Sequence, residues 1–399
     1  MSKHDPRHSS HRNRVALLTT GRAYFQRMEA LIDGARHSIH LQVYIMADDA
    51  TGARIGAALV RAAGRGVQVH VLADGYASRD VAPALIEGLR AAGGHFEWFE
   101  PLWRSSKFYI GRRLHHKVLV VDHRFALVSG RNIADRYNDS EGQPAWYDVA
   151  LDAEGEAALD LEQLCCMLWN GNAARVRRAR AVPPTPEEAR VLFGDWPADV
   201  HCTVRVRYND WLRGHSEITD GYATMFRAAQ KEIRIVSSYF VPGRHFKRML
   251  AGAARRGVRV VVVTGGRSDI WIAKPAERWL YAWLLRRGIE VYEYQGPVLH
   301  AKVAARDGAW CTVGSFNIND LSTYTTLEVN LDIEEAKVAR LLEQEIDRIG
   351  VNEPSRITQV DERRVGPFTR LVRWVAYRTL RLMHVLLTWY YQRERPHTR

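Results

Sequence analysis

Two histidine-lysine pairs carry the residues in this sequence best suited to chemistry. The first is His115-x-Lys117, followed by Asp122 and then by Ser129-Gly130-x-Asn132; the second is His300-x-Lys302, followed by Asp307 and then by Gly314-Ser315-x-Asn317. The chain has only eight lysines beside 49 arginines, so its composition predicts roughly 0.02 chance occurrences of His-x-Lys-x4-Asp. Two copies with matching tails are a duplication. On a strand alternate residues share a face, so each His projects with its Lys. If the halves fold together, two imidazoles and two ammonium groups converge, a set suited to attack on a phosphodiester. One His attacks phosphorus and the other protonates the departing alkoxide. The lysines and the amides of Asn132 and Asn317 stabilise charge on the phosphoryl oxygens. Such a site calls for no metal and no cofactor.

A nucleophilic imidazole needs its second ring nitrogen held by a carboxylate, which fixes the tautomer and stabilises the cation. Asp148 and Glu328 are the candidates, each counted from the histidine of its own half and each inside a strand-like run. Asp122 and Asp307 belong to the motif, but an Asp closing a strand before a turn is commonly a turn former. They are expected to support the site rather than meet substrate.

The elements that must position these residues are also duplicated. Ala35 to Ile45 and Ala229 to Phe240 each read as a helix end followed by a buried strand. Each is followed by a helix closing on a basic-Gly turn, at Gly66 and Gly257, and by a second apolar strand. Strand-helix-strand repetition predicts two tandem α/β sandwich domains forming one pseudo-symmetric unit. The expected divisions are a disordered tail (1–14), a first domain (15–175), an exposed Arg- and Pro-rich linker (176–200), a second domain (201–355) and a basic amphipathic segment (356–399). At 399 residues and 46% hydrophobic content the chain can bury two cores. Its net charge of +12 favours an anionic partner without choosing among nucleic acid, membrane and phosphate-bearing substrate. Four cysteines without metal-ligand spacing, two of them adjacent, argue against a disulfide framework.

These motifs resemble the phospholipase D superfamily, whose signature is the doubled H-x-K-x4-D with a downstream G-[SG]-x-N. The strings Asp48-Asp49-x-x-Gly52, Ala73-Asp-Gly75, Tyr239-Phe-Val-Pro-Gly243 and Pro297-Val-Leu-His-Ala-Lys302 look like the bacterial cardiolipin synthases of type B, over roughly residues 15 to 390. The resemblance implies His115 as nucleophile and His300 as acid then base. It makes Lys117, Lys302, Asn132 and Asn317 phosphate-binding groups, and Asp148 and Glu328 histidine orienters. Because the first copy departs from the family order with Ser129-Gly130, only Ser315 is given a hydroxyl role.

Nucleases share this chemistry, so the substrate must be argued from elsewhere. Over residues 368 to 391 a helical wheel puts Arg370, Arg373, Arg378 and Arg381 on one arc and Leu371, Val375, Leu382, Leu386 and Trp389 on the other. Such a helix suits a membrane interface, with arginines at anionic headgroups and Trp374, Trp389, Tyr390 and Tyr391 at interfacial depth. Trp98 to Arg113, and Trp271, Trp279 and Trp283, add aromatics near the motifs. The expectation is a peripheral enzyme on the cytoplasmic side of the cell membrane that makes cardiolipin by phosphatidyl transfer to phosphatidylglycerol through a phosphohistidine. Phosphatidylethanolamine is a second candidate substrate, and no nucleic acid partner is expected. The alternatives are a phospholipase D hydrolase, a nucleic-acid phosphodiesterase and a membrane-binding scaffold, the last disfavoured by two intact motifs.

Overall fold

The computed structural model describes residues 9–101, 112–139, 144–173, 202–351 and 355–393. The linker expected at 176–200 and most of the aromatic-basic stretch before the first motif lie outside the described residues. Each half builds the same sheet. In the first half the strand order is Asn13–Leu18, Ala150–Gly155, Phe125–Ser129, Lys117–Val121, Ser38–Val43, Gln68–Asp74 and His95–Phe99. In the second, Thr203–Asp210, Thr326–Glu334, Trp310–Gly314, Lys302–Arg306, Glu232–Ser237, Arg259–Gly265 and Glu290–Tyr294 repeat that order, with His215–Ser216 and Arg356–Ile357 added at the edges.

In each sheet two neighbouring pairs are parallel and therefore need crossovers. The first crossovers are the helices Ala50–Gly64 and Arg244–Arg255. Both helices close identically: Gly66 and Gly257 sit at φ of 88° and 82°, and the amides of Val67 and Val258 reach back to the Ala62 and Ala253 carbonyls. Only glycine enters that left-handed region without strain, which explains the paired basic-Gly turns.

Side-chain alternation sorts the core into three layers. Val118 and Val120 point into a central cluster shared with Val303, Val313 and Leu331 of the other half, whereas Leu119 and Val121 face the outer helices of their own half. The helices Glu156–Ala173 and Ala336–Gly350 fill the central layer with Leu161, Leu164, Leu342 and Ile346. One continuous core therefore joins the halves, and the second outer layer is closed by residues such as Phe246, Leu250 and Tyr281.

Of the segment expected to be a disordered tail, residues 9–14 are built into the fold. Ser10 exchanges two 2.9 Å backbone hydrogen bonds with Val204, and the Asn13 side chain accepts from the Ala157 amide and donates to the Cys202 carbonyl. Its polar composition misleads because these side chains are buried as partners of backbone groups.

The helix Pro367–Arg393 packs on Ala273–Arg278 and Asp320–Tyr324 through Arg373, Ala376, Arg381 and His384. Here the expectation of four headgroup-facing arginines needs correction. Arg373 pairs with Glu362 at 2.9 Å and Arg381 with Asp320, so both are spent on the protein. Arg370 donates to the carbonyls of Glu362 and Arg363, and Arg378 lies over Trp374. The apolar arc is the exposed one: Phe368 is 77% exposed, Leu371 55%, Leu382 58% and Leu386 63%. The side chains of Trp389, Tyr390 and Tyr391 lie outside the described residues. No helix among the described residues is long and apolar enough to cross a membrane.

The motif aspartates belong to the fold. Asp122 accepts from the amides of Arg36, His37 and Ser38 at 2.7 to 3.0 Å, and Asp307 from those of Gln230, Lys231 and Glu232 at 2.8 to 2.9 Å. Each clamps the entry of the neighbouring central strand, one full strand away from its His-x-Lys. Expected to support the site rather than meet substrate, both have their oxygens taken up by backbone amides. Hydrogen bonds to a charged acceptor contribute about 1.5–3 kcal/mol each, so Asp307→Ala should lower unfolding free energy by about 3 kcal/mol in urea titrations. These amides hold the Asp307 carboxyl below its ordinary range. Its folded pKa is thus lower than its unfolded one, and its contribution is present above the unfolded value and lost as pH falls through the folded one. The gap between wild type and Asp307→Ala should close in acid; a pH-independent gap would contradict the clamp.

Candidate active site

The two motifs meet where the sheets face each other, through two equivalent backbone seams. Arg113 and Leu114 run parallel to Thr326 and Leu327, and the His115 amide donates to the Leu327 carbonyl at 3.0 Å. Symmetrically, the His300 amide donates to the Tyr147 carbonyl at 2.7 Å, and the Tyr147 amide to Val298. Leu327 precedes Glu328 and Tyr147 precedes Asp148, so each seam sets a histidine beside the other half's carboxylate. A buried pair, Arg112 with Asp210 at 2.6 Å, pins the first seam across the halves.

The histidine partners are consequently exchanged relative to the sequence reading. His115 Nδ1 lies 2.9 Å from Glu328, and His300 Nδ1 lies 2.8 Å from Asp148. Chain proximity had suggested Asp148 for His115 and Glu328 for His300. Sequence distance measures neither seam, because both are interstrand contacts between halves. The glycine order has its reason here too. A Cβ on Gly130 would stand 2.5 Å from the Asp148 carboxylate, and one on Gly314 would stand 2.2 Å from the Val329 carbonyl. At the position matching Gly130, Ser315 donates to Glu328 at 2.5 Å and accepts from the Val329 amide, and Thr326 donates to the other Glu328 oxygen at 2.7 Å.

The lysines are buried beside their histidines, each reaching back to the histidine's own carbonyl. Lys117 lies 5.0 Å from the Tyr44 ring centroid, while Lys302 donates to Ser238 at 2.9 Å. Tyr44 and Ser238 occupy equivalent positions, one residue past matching strands. Ser238 in turn donates to Asn317 Oδ1 at 2.8 Å. Asn132 accepts from the Ile45 amide and donates to the Tyr137 hydroxyl, which lies 3.5 Å from His300 Nε2. Tyr44 meets the His115 ring edge-on at 4.8 Å, and Tyr137 meets His300 at 5.1 Å. Sequence reasoning missed Tyr44, Tyr137 and Ser238 as site residues. Tyr44 and Ser238 were findable, because aligning the repeat from Ala35 and Ala229 puts them at one position.

The electrostatics follow from burial against pairing. Burial, opposed by Glu328, lowers the His115 pKa; burial and the nearby lysines take His300 well below the usual imidazole range. Burial favours raising Glu328, but His115, Lys117 and Ser315 outweigh it and keep it ionised. Burial raises Asp148 to about 6 against the pull of Lys302. Both resting imidazoles are therefore neutral, each donating Nδ1–H to a carboxylate and leaving Nε2 with the lone pair. Burial also lowers Lys117 to about 7 and Lys302 to about 8. The histidines differ in access: the His115 side chain is 17% exposed and its Nε2 has no partner among the described residues, whereas His300 is 7% exposed and lies against Tyr137.

The family described as "Cardiolipin synthase, PLD-like domain" matches residues 28–143 and 222–349. Cardiolipin synthase B of Escherichia coli strain K12 is 32% identical over 381 residues, covering 94% of this chain and 90% of that protein. A cardiolipin synthase of Geobacillus kaustophilus is 30% identical over 322 residues, 80% of this chain and 62% of that one. Among solved structures, phosphatidylserine synthase of Haemophilus influenzae superposes with a TM-score of 0.68 over 94% of both chains at 15% identity, a likeness of fold. The doubled sheet is therefore the phospholipase D fold that the resemblance of the motifs implied, and the chain belongs to the cardiolipin synthase family of phospholipase D-like proteins.

Proposed function

We propose that the protein is a cardiolipin synthase, transferring a phosphatidyl group to phosphatidylglycerol. The observation that carries this reading is the asymmetric pair of crossed His-carboxylate dyads between two buried lysines. His115, with its Nε2 unpartnered, attacks the lipid phosphorus. His300, having taken up a proton at Nε2 as the anionic phosphodiester binds beside it, gives that proton to the leaving headgroup oxygen as the phosphatidyl-His115 intermediate forms, and then takes the proton of the incoming phosphatidylglycerol hydroxyl as that oxygen displaces His115. Glu328 and Asp148 balance the imidazolium formed on each ring in turn. Lys117 and Lys302, with the Asn317 amide, stabilise the phosphoryl oxygens.

Lipid rather than nucleic acid is favoured by the outward apolar face of the C-terminal helix. A surface helix in water buries its apolar stripe, but this one exposes it and turns two arginines to the protein. Trp271, 83% exposed, and Ile270 add exposed apolar side chains just past Asp269, whose carboxylate accepts from Tyr239. We place this surface in the cytoplasmic leaflet of the cell membrane, as a peripheral attachment.

The crossed pairing separates the two chemical steps. With an activated phosphodiester whose leaving group needs no protonation, Asp148→Asn should keep the initial burst and slow the following turnover by about 10²-fold or more, whereas Glu328→Gln should slow the burst itself. His115→Ala should abolish both, and a trapped adduct should map to His115; the reverse assignment of Asp148 and Glu328 effects would refute the exchange. A second expectation concerns pH. The lysines act as cations, so kcat/KM should fall as pH rises through about 7 to 8, and the ionised Asp148 places an acid limb near 6. Bound phosphate raises both lysine pKa values, so the alkaline limb of kcat should lie higher; a profile flat to alkaline pH would rule out catalytic ammonium groups. Chelators should leave the rate unchanged.

Membrane attachment has its own test, mass spectrometry of lipid products alongside vesicle sedimentation. A buried leucine contributes about 1.5–3 kcal/mol, so changing Leu371, Leu382 and Leu386 to Ser should weaken vesicle binding by well over tenfold. Arg373→Gln should weaken it far less, because Arg373 already pairs with Glu362. Equal effects would show that charge, not the apolar face, holds the protein to lipid. Cardiolipin formed from phosphatidylglycerol vesicles, with and without phosphatidylethanolamine, tests the transfer itself; phosphatidic acid as sole product would favour a hydrolase.

A further inference from the structure

A groove of about 520 Å³ opens between the C-terminal helix and the helices Ala273–Arg278 and Tyr281–Leu285, and none of the motif residues lines it. Its charge is one-sided. Lys247, Arg278, Arg286, Arg363, Arg370 and Arg373 contribute six cations against a single lining carboxylate, Glu362, which Arg373 neutralises. Arg278 is balanced from outside the groove by Glu293 at 2.8 Å. Arg286 and Arg363 are exposed and form no ion pair among the described residues. Between the cations stand aromatic walls: Lys247 donates to the Tyr377 hydroxyl at 2.8 Å and lies 5.6 Å from the Trp283 ring centroid.

A concave surface with unbalanced guanidinium groups is a site for an anion whose oxygens accept several N–H donors at once, and phosphate geometry suits that fork. Free inorganic phosphate and a lipid headgroup share this chemistry. The groove favours the lipid. Trp279, Trp283 and Leu285 line it beside the cations, an apolar wall for the glycerol and first acyl carbons that free phosphate would leave uncovered, and the C-terminal helix on its other side exposes Phe368 and Leu371. We infer that this groove is a second, non-catalytic site for the phosphodiester headgroup of an anionic phospholipid. Source, but not charge, rests on the reading that the apolar arc lies on the bilayer. The site holds one lipid at the helix while another reacts at His115, fixing the protein's orientation on an anionic membrane.

The test uses the full-length chain in a His115→Ala background, so that binding is read without turnover, with dihexanoyl phosphatidylglycerol below its micellar concentration and inorganic phosphate as separate calorimetric titrants. Two lipid sites are expected, of which Arg286→Glu with Arg363→Glu weakens one by at least about tenfold, while Arg286→Lys with Arg363→Lys retains it within a few-fold. In the otherwise unaltered enzyme the Glu pair should leave turnover of a soluble phosphodiester unchanged, which shows that the fold is intact. Lipid binding that the charge reversal leaves untouched overturns the site. Inorganic phosphate binding as tightly as the lipid, with the same loss on charge reversal, overturns the lipid as its ligand. Because the titrant is soluble, failure of the bilayer reading shows separately, as vesicle binding that survives the Leu→Ser changes.

Discussion

Each histidine depends on a carboxylate from the other half of the chain, and the rest of the architecture follows from that constraint. A neutral imidazole buried beside two ammonium groups is poorly placed to accept positive charge. Glu328 for His115 and Asp148 for His300 supply the compensating anion, and they do so only when both sheets are docked. The exchange is enforced by backbone geometry. The His amide bonds the carbonyl of the residue just before the carboxylate, at Leu327 in one seam and Tyr147 in the other. A side-chain dyad is thus locked by a main-chain bond one residue away, and the continuous central core keeps that bond in place.

The same constraint explains departures from perfect duplication. Where the carboxylate is the shorter Asp148, the facing residue is Gly130 and nothing stands between them; where it is the longer Glu328, Ser315 and Thr326 hold both oxygens. The two arrangements give different electrostatics, with Asp148 raised toward neutrality and Glu328 held ionised. Symmetric motifs thereby have unequal surroundings. In the proposed mechanism the more exposed histidine attacks, and the more enclosed one beside Tyr137 moves protons.

The proposed lipid contact adds a second asymmetry, confined to one side of the second half. The C-terminal helix spends Arg373 and Arg381 on Glu362 and Asp320, and this anchoring frees its apolar face. Had those arginines faced outward, the helix would have buried its leucines and the surface would read as that of any soluble protein. The cationic groove and the exposed Trp271 share the helix Ala273–Arg278 or its approach, which also packs against the C-terminal helix.

The sequence by itself determined the duplication and which side chains come together between the sheets: His115, Lys117, His300 and Lys302, the two asparagines and the carboxylates as a set, along with the glycine turns at Gly66 and Gly257. These are legible because strand alternation, helix capping and the demands of phosphoryl chemistry act over a few residues. The tertiary structure alone decided which carboxylate serves which histidine, since partnership is set by strand contacts between halves and not by position along the chain. It also decided that Asp122 and Asp307 hold backbone amides, and that Tyr137 and Ser238 belong to the site. In the C-terminal helix a wheel gave both arcs but not which one faces the protein, because that choice depends on Glu362 and Asp320, carboxylates that lie elsewhere in the fold.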